Sequence, residues 1–429
     1  MYKAGSGLLF PLFLRSNKDM IRLLSATILI AALLLAGCQE SEYQRLQPAP
    51  QAGLTLLQLS QEGGFAMPVI PDSNPLTDAK IELGRHLFYD KRLSVNEQQS
   101  CESCHQQDKA FADGKALPHG TTGDLLARNS QTLTNVAYNI NYTWANPRLT
   151  TLEQQILIPL TAEAPNPVEI GISGSNLDEI LQRFRNQVLY QDLFSQAFPE
   201  DADPFSLANV IKALASFNRI LISDRSPFDK GELSASAQRG RDLFFSEKAD
   251  CFHCHDTFNF SLSSTTTRSI AIPTQRFFNN GLYNLSQDGN YPENNQGAFE
   301  ITANSTDKGS FRPPTLRNVE LTAPYMHDGS IATLEGVVEF YANGGRHIQS
   351  TADIDNLAII NESLGQSADA IQHLLGDGRN NPNKLANGFV SGFSASAQEK
   401  VDLVNFLKSL TDQEFITDPR FSNPFAAAE

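Results

Sequence analysis

The chain has 429 residues, of which 41% are hydrophobic and 19% are charged, an ordinary globular composition. On length alone we expect roughly two or three domains, each large enough to bury a core. The 33 basic and 48 acidic residues give a net charge of −15. This balance argues against nucleic-acid binding, which requires clustered Lys and Arg, and otherwise indicates only solubility.

An apolar segment precedes the first cysteine. Residues 21–36 are almost continuously apolar and lead into Cys38, which predicts a lipoprotein signal peptide over residues 1–37 and lipidation of Cys38. A plain secretory signal or an uncleaved anchor is the alternative, because the segment is short for a membrane span. Met20 is a better start than the first methionine, which makes residues 1–19 a candidate misassigned extension. We expect export to the periplasm, with a lipid anchor in a bacterial outer membrane favoured.

The rest of the chain predicts a tether and two helical domains. Residues 38–75 are rich in Gln, Pro and Ser, as in a tether. Helical stripes of apolar residues follow, and the break near Ser223–Ser234 indicates a domain boundary. We therefore expect an N-terminal domain at 76–225 and a C-terminal domain at 226–429. The helices expected to open or close these domains are 77–92, 206–222 and 396–411.

Two Cys-x-x-Cys-His motifs stand in the chain, at Cys101–His105 and Cys251–His255. In this motif both cysteines form thioether bonds to haem and the histidine binds the iron. One copy alone could be a zinc or redox site, but two copies use four of the five cysteines and favour two c-type haems. The predicted attachment residues are Cys101, Cys104, Cys251 and Cys254, and the predicted iron ligands are His105 and His255.

An internal repeat surrounds the motifs. The string Gly-Arg-His-Leu-Phe at 84–88 returns as Gly-Arg-Asp-Leu-Phe at 240–244, each time upstream of a motif. In a small cytochrome the first and last helices pack together beside the haem. The sequence therefore predicts an all-α fold of two cytochrome c-like helical domains, each around one haem, with long irregular loops.

Two segments, Gly84–Ser94 and Phe311–Leu334, together with both motifs, resemble the bacterial dihaem cytochrome c peroxidase and MauG superfamily. The resemblance covers about residues 70–415. It implies a haem peroxidase-type oxidoreductase in which one haem meets hydrogen peroxide and the other stores an oxidising equivalent, giving a high-valent bis-haem state. The sixth ligand of each iron decides these tasks.

The resemblance predicts that the two haem irons differ in their sixth ligand. At the second haem the family places the distal ligand at Tyr341, where ordinary peroxidases have methionine and MauG-type enzymes have tyrosine. Met326 is the alternative ligand. At the first haem, Thr121 occupies the position of a blocking histidine, so an open site is favoured, although His119 lies nearby in sequence.

The distal side of the first haem is expected in segments that look like the family elements Leu-Glu-x-Gln and Asn-Pro-x-Glu-x-Gly. The correspondence places Gln155, Pro159 and Glu169 over the iron. Peroxide cleavage needs a base and then an acid, and one carboxyl can serve as both. Glu169 is the predicted group, and Glu163 is the competing candidate.

Trp144, the only tryptophan, has a spacing from the first motif that resembles the family's inter-haem tryptophan. It is predicted as an electron relay, with core packing as the alternative. The family also binds one calcium ion between the haems. The resemblance places its ligands at the Asn129 side chain and the carbonyls of Thr322 and Pro324, and oxygen ligands suit calcium.

The segment around Trp144 is similar to the MbnH branch, whose members act on a small copper-binding partner, MbnP, and oxidise a partner tryptophan. We therefore expect peroxide-driven oxidation of a protein residue at long range. One alternative is a periplasmic cytochrome c peroxidase that takes electrons from a small cytochrome or cupredoxin. A second alternative is a dihaem electron-transfer protein without catalysis. Membrane contact is expected only through the N-terminal lipid.

Overall fold

Helices make up the regular structure of this computed structural model, which describes residues 64–162, 168–269, 276–283, 290–293, 295–345 and 392–425. Among these residues there is no strand, and β pairing is limited to isolated bridges such as the one between Phe278 and Phe311. The α-helices are α1 (Asp78–Tyr89), α2 (Leu152–Thr161), α3 (Leu177–Arg185), α4 (Val188–Ala197), α5 (Leu207–Arg219), α6 (Ala235–Phe244), α7 (Phe252–His255), α8 (Phe299–Thr302), α9 (Leu334–Ala342), α10 (Ala397–Lys408) and α11 (Gln413–Thr417). The 3-10 helices are Lys91–Leu93, Cys101–Ser103, Gln107–Lys109, Val136–Tyr138, Ser305–Asp307 and Val319–Leu321. The helical character predicted from the sequence is confirmed.

The first half is built around the crossing of α1 and α5. The Thr77 hydroxyl caps α1 and the Ser206 hydroxyl caps α5, each by accepting a backbone N–H of the first turn. The helices meet closely at Gly84, where an added β-carbon would lie 2.0 Å from the carbonyl oxygen of Ala213. A glycine is therefore required at this position of α1.

The second half repeats this arrangement with α6 and α10. Ser234 and Ser396 cap the two helices. A β-carbon added at Gly240 would lie 1.9 Å from the carbonyl oxygen of Asp402 on α10. Because Gly84 and Gly240 are matching positions of the repeated string, the structure confirms the internal duplication and the helices predicted at the ends of each half.

The C-terminal segment crosses back onto the first half. Phe415 and Phe421 are buried in the same apolar cluster as the side chains of α1 and α5. The Tyr89 hydroxyl donates to the carbonyl oxygen of Phe421 at 2.6 Å, and Arg85 Nε donates to that of Ser422 at 2.8 Å. All described residues belong to one compact unit. The division into domains at 76–225 and 226–429 stays a prediction.

A buried polar junction joins the two halves where the sequence places its boundary. Ser223 is fully buried, and its carbonyl oxygen accepts from Asn135 Nδ2 at 3.0 Å while its hydroxyl accepts from Asn318 Nδ2 at 3.0 Å. Asn318 Oδ1 in turn accepts from the backbone N–H of Asp412 at 2.7 Å. These bonds satisfy buried backbone groups that no regular element serves.

The predicted signal peptide, Cys38 and most of the tether lie outside the described residues. Within the described ranges, no helix is both long enough and apolar enough to cross a membrane. Lipid anchoring and export stay predictions.

The crossing of α1 and α5 yields a stability prediction. Gly84→Ala is expected to lower the free energy of unfolding by about 1–3 kcal/mol, because the new methyl group meets a backbone carbonyl that cannot move alone. Denaturant unfolding followed by circular dichroism measures the change. Gly174→Ala is the matched control, since no atom lies within 4 Å of an added β-carbon there. Equal stability of the two variants would contradict the close crossing.

Candidate functional site: two haem-binding motifs

Hydrogen bonding to the backbone orients the histidine of each motif. His105 Nδ1 donates to the carbonyl oxygen of Phe111 at 2.9 Å, and His255 Nδ1 donates to that of Phe260 at 3.0 Å. A carbonyl only accepts, so Nδ1 carries the proton and Nε2 presents the lone pair that a metal requires. Burial lowers the pKa of His105 and lowers the pKa of His255 to about 4. Both imidazoles are therefore neutral, and each presents its Nε2 lone pair as a ligand that fits haem iron.

The two accepting carbonyls are held in the same way. Phe111 and Phe260 have φ angles of 61° and 50°, a left-handed conformation that is uncommon for a non-glycine residue. The carbonyl just before each phenylalanine accepts a threonine hydroxyl, from Thr132 at 2.5 Å and from Thr315 at 2.7 Å. The loop that orients each histidine is thus fixed by its own side-chain hydrogen bond.

Sequence reasoning missed these threonines, although they begin a second internal repeat. Residues 132–136 read Thr-Leu-Thr-Asn-Val and residues 315–319 read Thr-Leu-Arg-Asn-Val, a shared pattern that could have revealed them. The halves differ at the middle position. Arg317, only 1% exposed, donates from Nη1 to Asp229 Oδ2 at 2.7 Å and supports the loop after the second motif.

The four motif cysteines are free thiols in largely buried surroundings. None of them forms a disulfide. Burial raises the pKa of each thiol to about 12. Protonated thiols react slowly with disulfides, so these surroundings disfavour a redox-active cysteine pair. The residues are Cys101, Cys104, Cys251 and Cys254.

A cavity that is partly open to solvent lies against the second motif, with about 1730 Å³ of empty space when the solvent at its open side is included. Its lining is mostly apolar, as the faces of a porphyrin ring require. Cys251, Cys254 and His255 line it, together with Met326 and Tyr341. The apolar lining and the donor set of the cavity fit a c-type haem.

Tyr341 and Met326, the two ligand candidates, are linked by one residue. Asn280 Nδ2 donates to Met326 Sδ at 3.5 Å, and its side chain also hydrogen-bonds Tyr341. Burial raises the pKa of Tyr341, so the free phenol is neutral at physiological pH. Phenolate ligation therefore requires a cation, such as ferric iron, to displace the phenolic proton.

The structure brings the predicted distal residues of the first haem together. The carbonyl oxygen of Pro159 accepts the backbone N–H of Ile170 at 3.0 Å, which fixes Glu169 beside α2. Burial raises the pKa of Glu169 to about 7, and its charge acts on both Cys101 and Cys104. Glu169 thus lies near the first motif and exchanges protons near neutral pH.

Gln155, one turn before Pro159 on α2, has an unused acceptor. Its side-chain Oε1 is buried and has no hydrogen-bond partner among the described residues. Pro159 cannot donate a backbone N–H, so the Gln155 carbonyl also lacks its usual helical partner. A polar ligand at this site could donate hydrogen bonds to the side-chain Oε1 and the backbone carbonyl of Gln155. Glu163, the competing candidate to Glu169, lies outside the described residues.

Thr121 lies where the family's blocking histidine is expected, and its side chain points to the backbone. Its N–H and its hydroxyl donate to the carbonyl oxygen of Val168 at 2.7 and 3.0 Å. These bonds tie the Thr121 loop to the residue just before Glu169. His119 is exposed, and its carbonyl oxygen accepts from Gln99 Nε2 at 3.0 Å.

Trp144 lines the cavity of the second motif. Its Nε1 donates to the carbonyl oxygen of Asn129 at 2.8 Å, and its ring lies 6.3 Å from that of His327 in an edge-on contact. Ser130, the next residue after Asn129, hydrogen-bonds Cys104 of the first motif. A single short segment therefore contacts both the tryptophan and the first haem-binding motif.

The predicted calcium ligands share the lining of one cavity. Asn129, Thr322 and Pro324 all line the cavity beside Trp144. Asn129 Nδ2 donates to the carbonyl oxygen of Lys115 at 2.7 Å, so its Oδ1 is turned the other way. The carbonyls of Thr322 and Pro324 accept no hydrogen bond from the described residues.

Two oriented histidines, each beside a pair of free cysteines, are the residues that two bound haems would require. The family model for di-haem cytochrome c peroxidase matches residues 78–238. A cytochrome-c peroxidase of Denitromonas iodatirespirans is 36% identical, covering 64% of this chain and 76% of that protein. The methylamine utilization protein MauG of Methylophilus methylotrophus is 34% identical, covering 63% and 74%. A solved MauG-like protein associated with microbial copper homeostasis has a TM-score of 0.74 and 42% identity, covering 84% of this chain and 97% of that one.

The chain therefore belongs to the di-haem cytochrome c peroxidase and MauG family, as its motifs predict. It is a haem oxidoreductase of the peroxidase type, with peroxide as oxidant and a protein as electron donor or substrate.

The first site yields a spectroscopic prediction. The ferric protein is expected to give a high-spin EPR signal, because Thr121 offers no strong ligand to the first iron. Thr121→His is expected to convert that signal to low spin. His119→Ala is the control and is expected to leave it unchanged. A wild-type spectrum that is low-spin throughout and becomes high-spin in His119→Ala would make His119 the ligand.

Proposed function

We propose that this enzyme uses hydrogen peroxide to oxidise a tryptophan residue of a partner protein at long range. The observation that carries the proposal is Tyr341, which lines the cavity of the second motif where ordinary peroxidases of the family have methionine. A phenolate is a hard anionic donor and stabilises an oxidised iron better than a thioether does. The MauG-like relative associated with copper homeostasis supports a small copper-binding protein of the MbnP kind as the partner.

The haems, when bound, supply peroxide activation and hold the two oxidising equivalents that it delivers. The chain supplies proton transfer. Glu169, with its pKa raised to about 7 by burial, accepts the proton of one peroxide oxygen and passes it to the other, which leaves as water. The unused Oε1 of Gln155 accepts a hydrogen bond and so orients the peroxide or the departing water.

Trp144 serves in this proposal as the electron relay between the sites. Its indole lines the second cavity, and its hydrogen bond to Asn129 fixes it against the segment that contacts Cys104. A fixed aromatic ring between two redox groups shortens each electron transfer. We also propose that Asn129, Thr322 and Pro324 bind one calcium ion beside this ring, because oxygen ligands from two separate segments would fix the relay between the haems.

A second candidate function is supported by Met326. Its thioether lines the same cavity as Tyr341 and shares Asn280 with it. Ligation by Met326 would give an ordinary peroxidase that takes electrons from a small cytochrome or cupredoxin. The 36% identity to a cytochrome-c peroxidase agrees with this alternative.

Replacing each candidate ligand distinguishes the two functions. Tyr341→Met is expected to abolish oxidation of the partner and to leave part of the peroxide turnover with a small electron donor. Met326→Leu is the matched control and is expected to retain both activities. Mass spectrometry of a copper-binding partner after peroxide addition measures the first activity. Partner oxidation that survives in Tyr341→Met and fails in Met326→Leu would refute the role of the tyrosine.

Glu169 generates a pH prediction. Its carboxylate is the base, and its pKa of about 7 means that this base is lost as pH falls below 7. The rate of reaction with peroxide is therefore expected to rise from pH 6 to pH 8. In Glu169→Gln the rate should fall by roughly 10²–10⁴-fold and lose this pH dependence. Stopped-flow absorption measures both.

Glu163→Gln is the comparison variant for that experiment, because it tests the competing carboxyl. It is expected to keep the wild-type rate and pH profile. If Glu163→Gln loses the pH-dependent step and Glu169→Gln retains it, the acid–base role belongs to Glu163.

A further inference from the structure

One buried arginine lacks the anionic partner that other buried arginines have. Arg312 is 3% exposed, and no carboxylate forms an ion pair with it among the described residues. Arg317 pairs with Asp229 at 2.7 Å, and Arg219 pairs with Glu153 at 2.8 Å. A charge buried without a counter-charge is strongly destabilising, so the contrast points to a partner supplied from outside the chain.

The bonds that Arg312 does make leave one end of its guanidinium unused. Nε donates to the carbonyl oxygen of Thr143 at 2.9 Å, and Nη2 donates to Gln131 Oε1 at 2.7 Å. The backbone N–H donates to the carbonyl oxygen of Trp144 at 2.7 Å. Nη1 is buried and has no hydrogen-bond partner in the part of the chain that the structure describes.

Gln131 presents a second unused donor beside the first. Because a guanidinium only donates, the Gln131 atom that faces Arg312 must be the oxygen, which assigns Nε2 to the other side of the amide. Gln131 Nε2 is also buried and has no partner among the described residues. Both side chains line the cavity of the second motif. Two unused donors on side chains that are hydrogen-bonded to each other, one of them charged, suit a carboxylate.

We propose that Arg312 Nη1 and Gln131 Nε2 bind a propionate carboxylate of the haem held by Cys251 and Cys254. Haem is the anionic group that this family brings into the cavity, and its propionates are its only charged substituents. The inference rests on the second haem and is independent of the partner protein.

Arg312 also lies between the proposed carboxylate site and the backbone of Trp144, the proposed electron relay. Arg312 donates to the carbonyl oxygen of Thr143 from Nε and to that of Trp144 from its backbone N–H, and Thr143 has a φ of 63°, a conformation that is rare for a β-branched residue. A bound propionate would neutralise the guanidinium next to the Trp144 backbone. An unpaired positive charge there would oppose transient oxidation of Trp144. Arg312 is thus a positioning residue for Trp144 as well as a ligand of the haem carboxylate.

Resonance Raman spectroscopy of the haem-loaded enzyme tests the proposal, because the propionate bending band reports hydrogen bonding to that carboxylate. Excitation at the Soret maximum of each haem in turn distinguishes the two haems. Arg312→Lys and Gln131→Leu are each expected to shift the propionate bending band of the second haem. Arg312→Gln is expected to shift it further and to lower the reduction potential of that haem, since a positive charge is lost.

Arg128→Gln is the matched control. Arg128 lies three residues before Gln131 but already pairs with Glu300 at 2.6 Å. The propionate bending band is therefore expected to stay unchanged in this variant. Circular dichroism verifies the folding of each variant. An unchanged band in folded Arg312→Lys and Gln131→Leu overturns the proposal, and so does a shift confined to the first haem. A crystal structure of the loaded enzyme should place a carboxylate oxygen about 2.7–2.9 Å from Nη1.

Discussion

The hydrogen bond from each motif histidine to a backbone carbonyl is the constraint on which both sites depend. A Cys-x-x-Cys-His string brings an imidazole near its cysteines but does not choose which nitrogen faces the metal. The bonds from His105 to Phe111 and from His255 to Phe260 make that choice. Each requires a phenylalanine in the left-handed region and a threonine hydroxyl on the preceding carbonyl. The loops after the motifs, although irregular, are therefore fixed.

The two halves share this support and differ around it. The same helix crossing, with a glycine at the contact, recurs in both, and so does the Thr-Leu-x-Asn-Val segment. The differences lie where chemistry is expected. The first half has a buried carboxyl at Glu169 and a threonine at 121, whereas the second has Tyr341 in its cavity and Arg317 behind its motif. A duplicated scaffold thus presents two different environments to the same kind of cofactor.

The segment from Asn129 to Thr132 connects these environments. Ser130 contacts Cys104, Asn129 accepts the Trp144 indole N–H, and Gln131 accepts from Arg312. Thr132 belongs to the support of the first histidine. This segment therefore links the first motif to the lining of the second cavity.

The sequence by itself determined the cofactor class, the duplication and most of the helices. Two complete motifs, a repeated helix sequence and a regular apolar period are local patterns. Such patterns can be recognised in the sequence before the fold is known. The resemblance also selected Glu169, Gln155, Pro159, Trp144 and Tyr341. In the structure Glu169 lies near the first motif and is next to a residue bonded to Pro159, whereas Trp144 and Tyr341 line the cavity of the second motif.

Only the tertiary structure decided which groups are buried and which buried groups lack a partner. Arg312 and Gln131 are far apart in the chain and no sequence pattern relates one to the other, so their unused donors are visible only where the two segments meet. The return of Phe415 and Phe421 to the first half was likewise absent from any pattern. Burial, the pKa of Glu169 and the pairing of charges arise from contacts between distant segments, and a linear sequence does not contain those contacts.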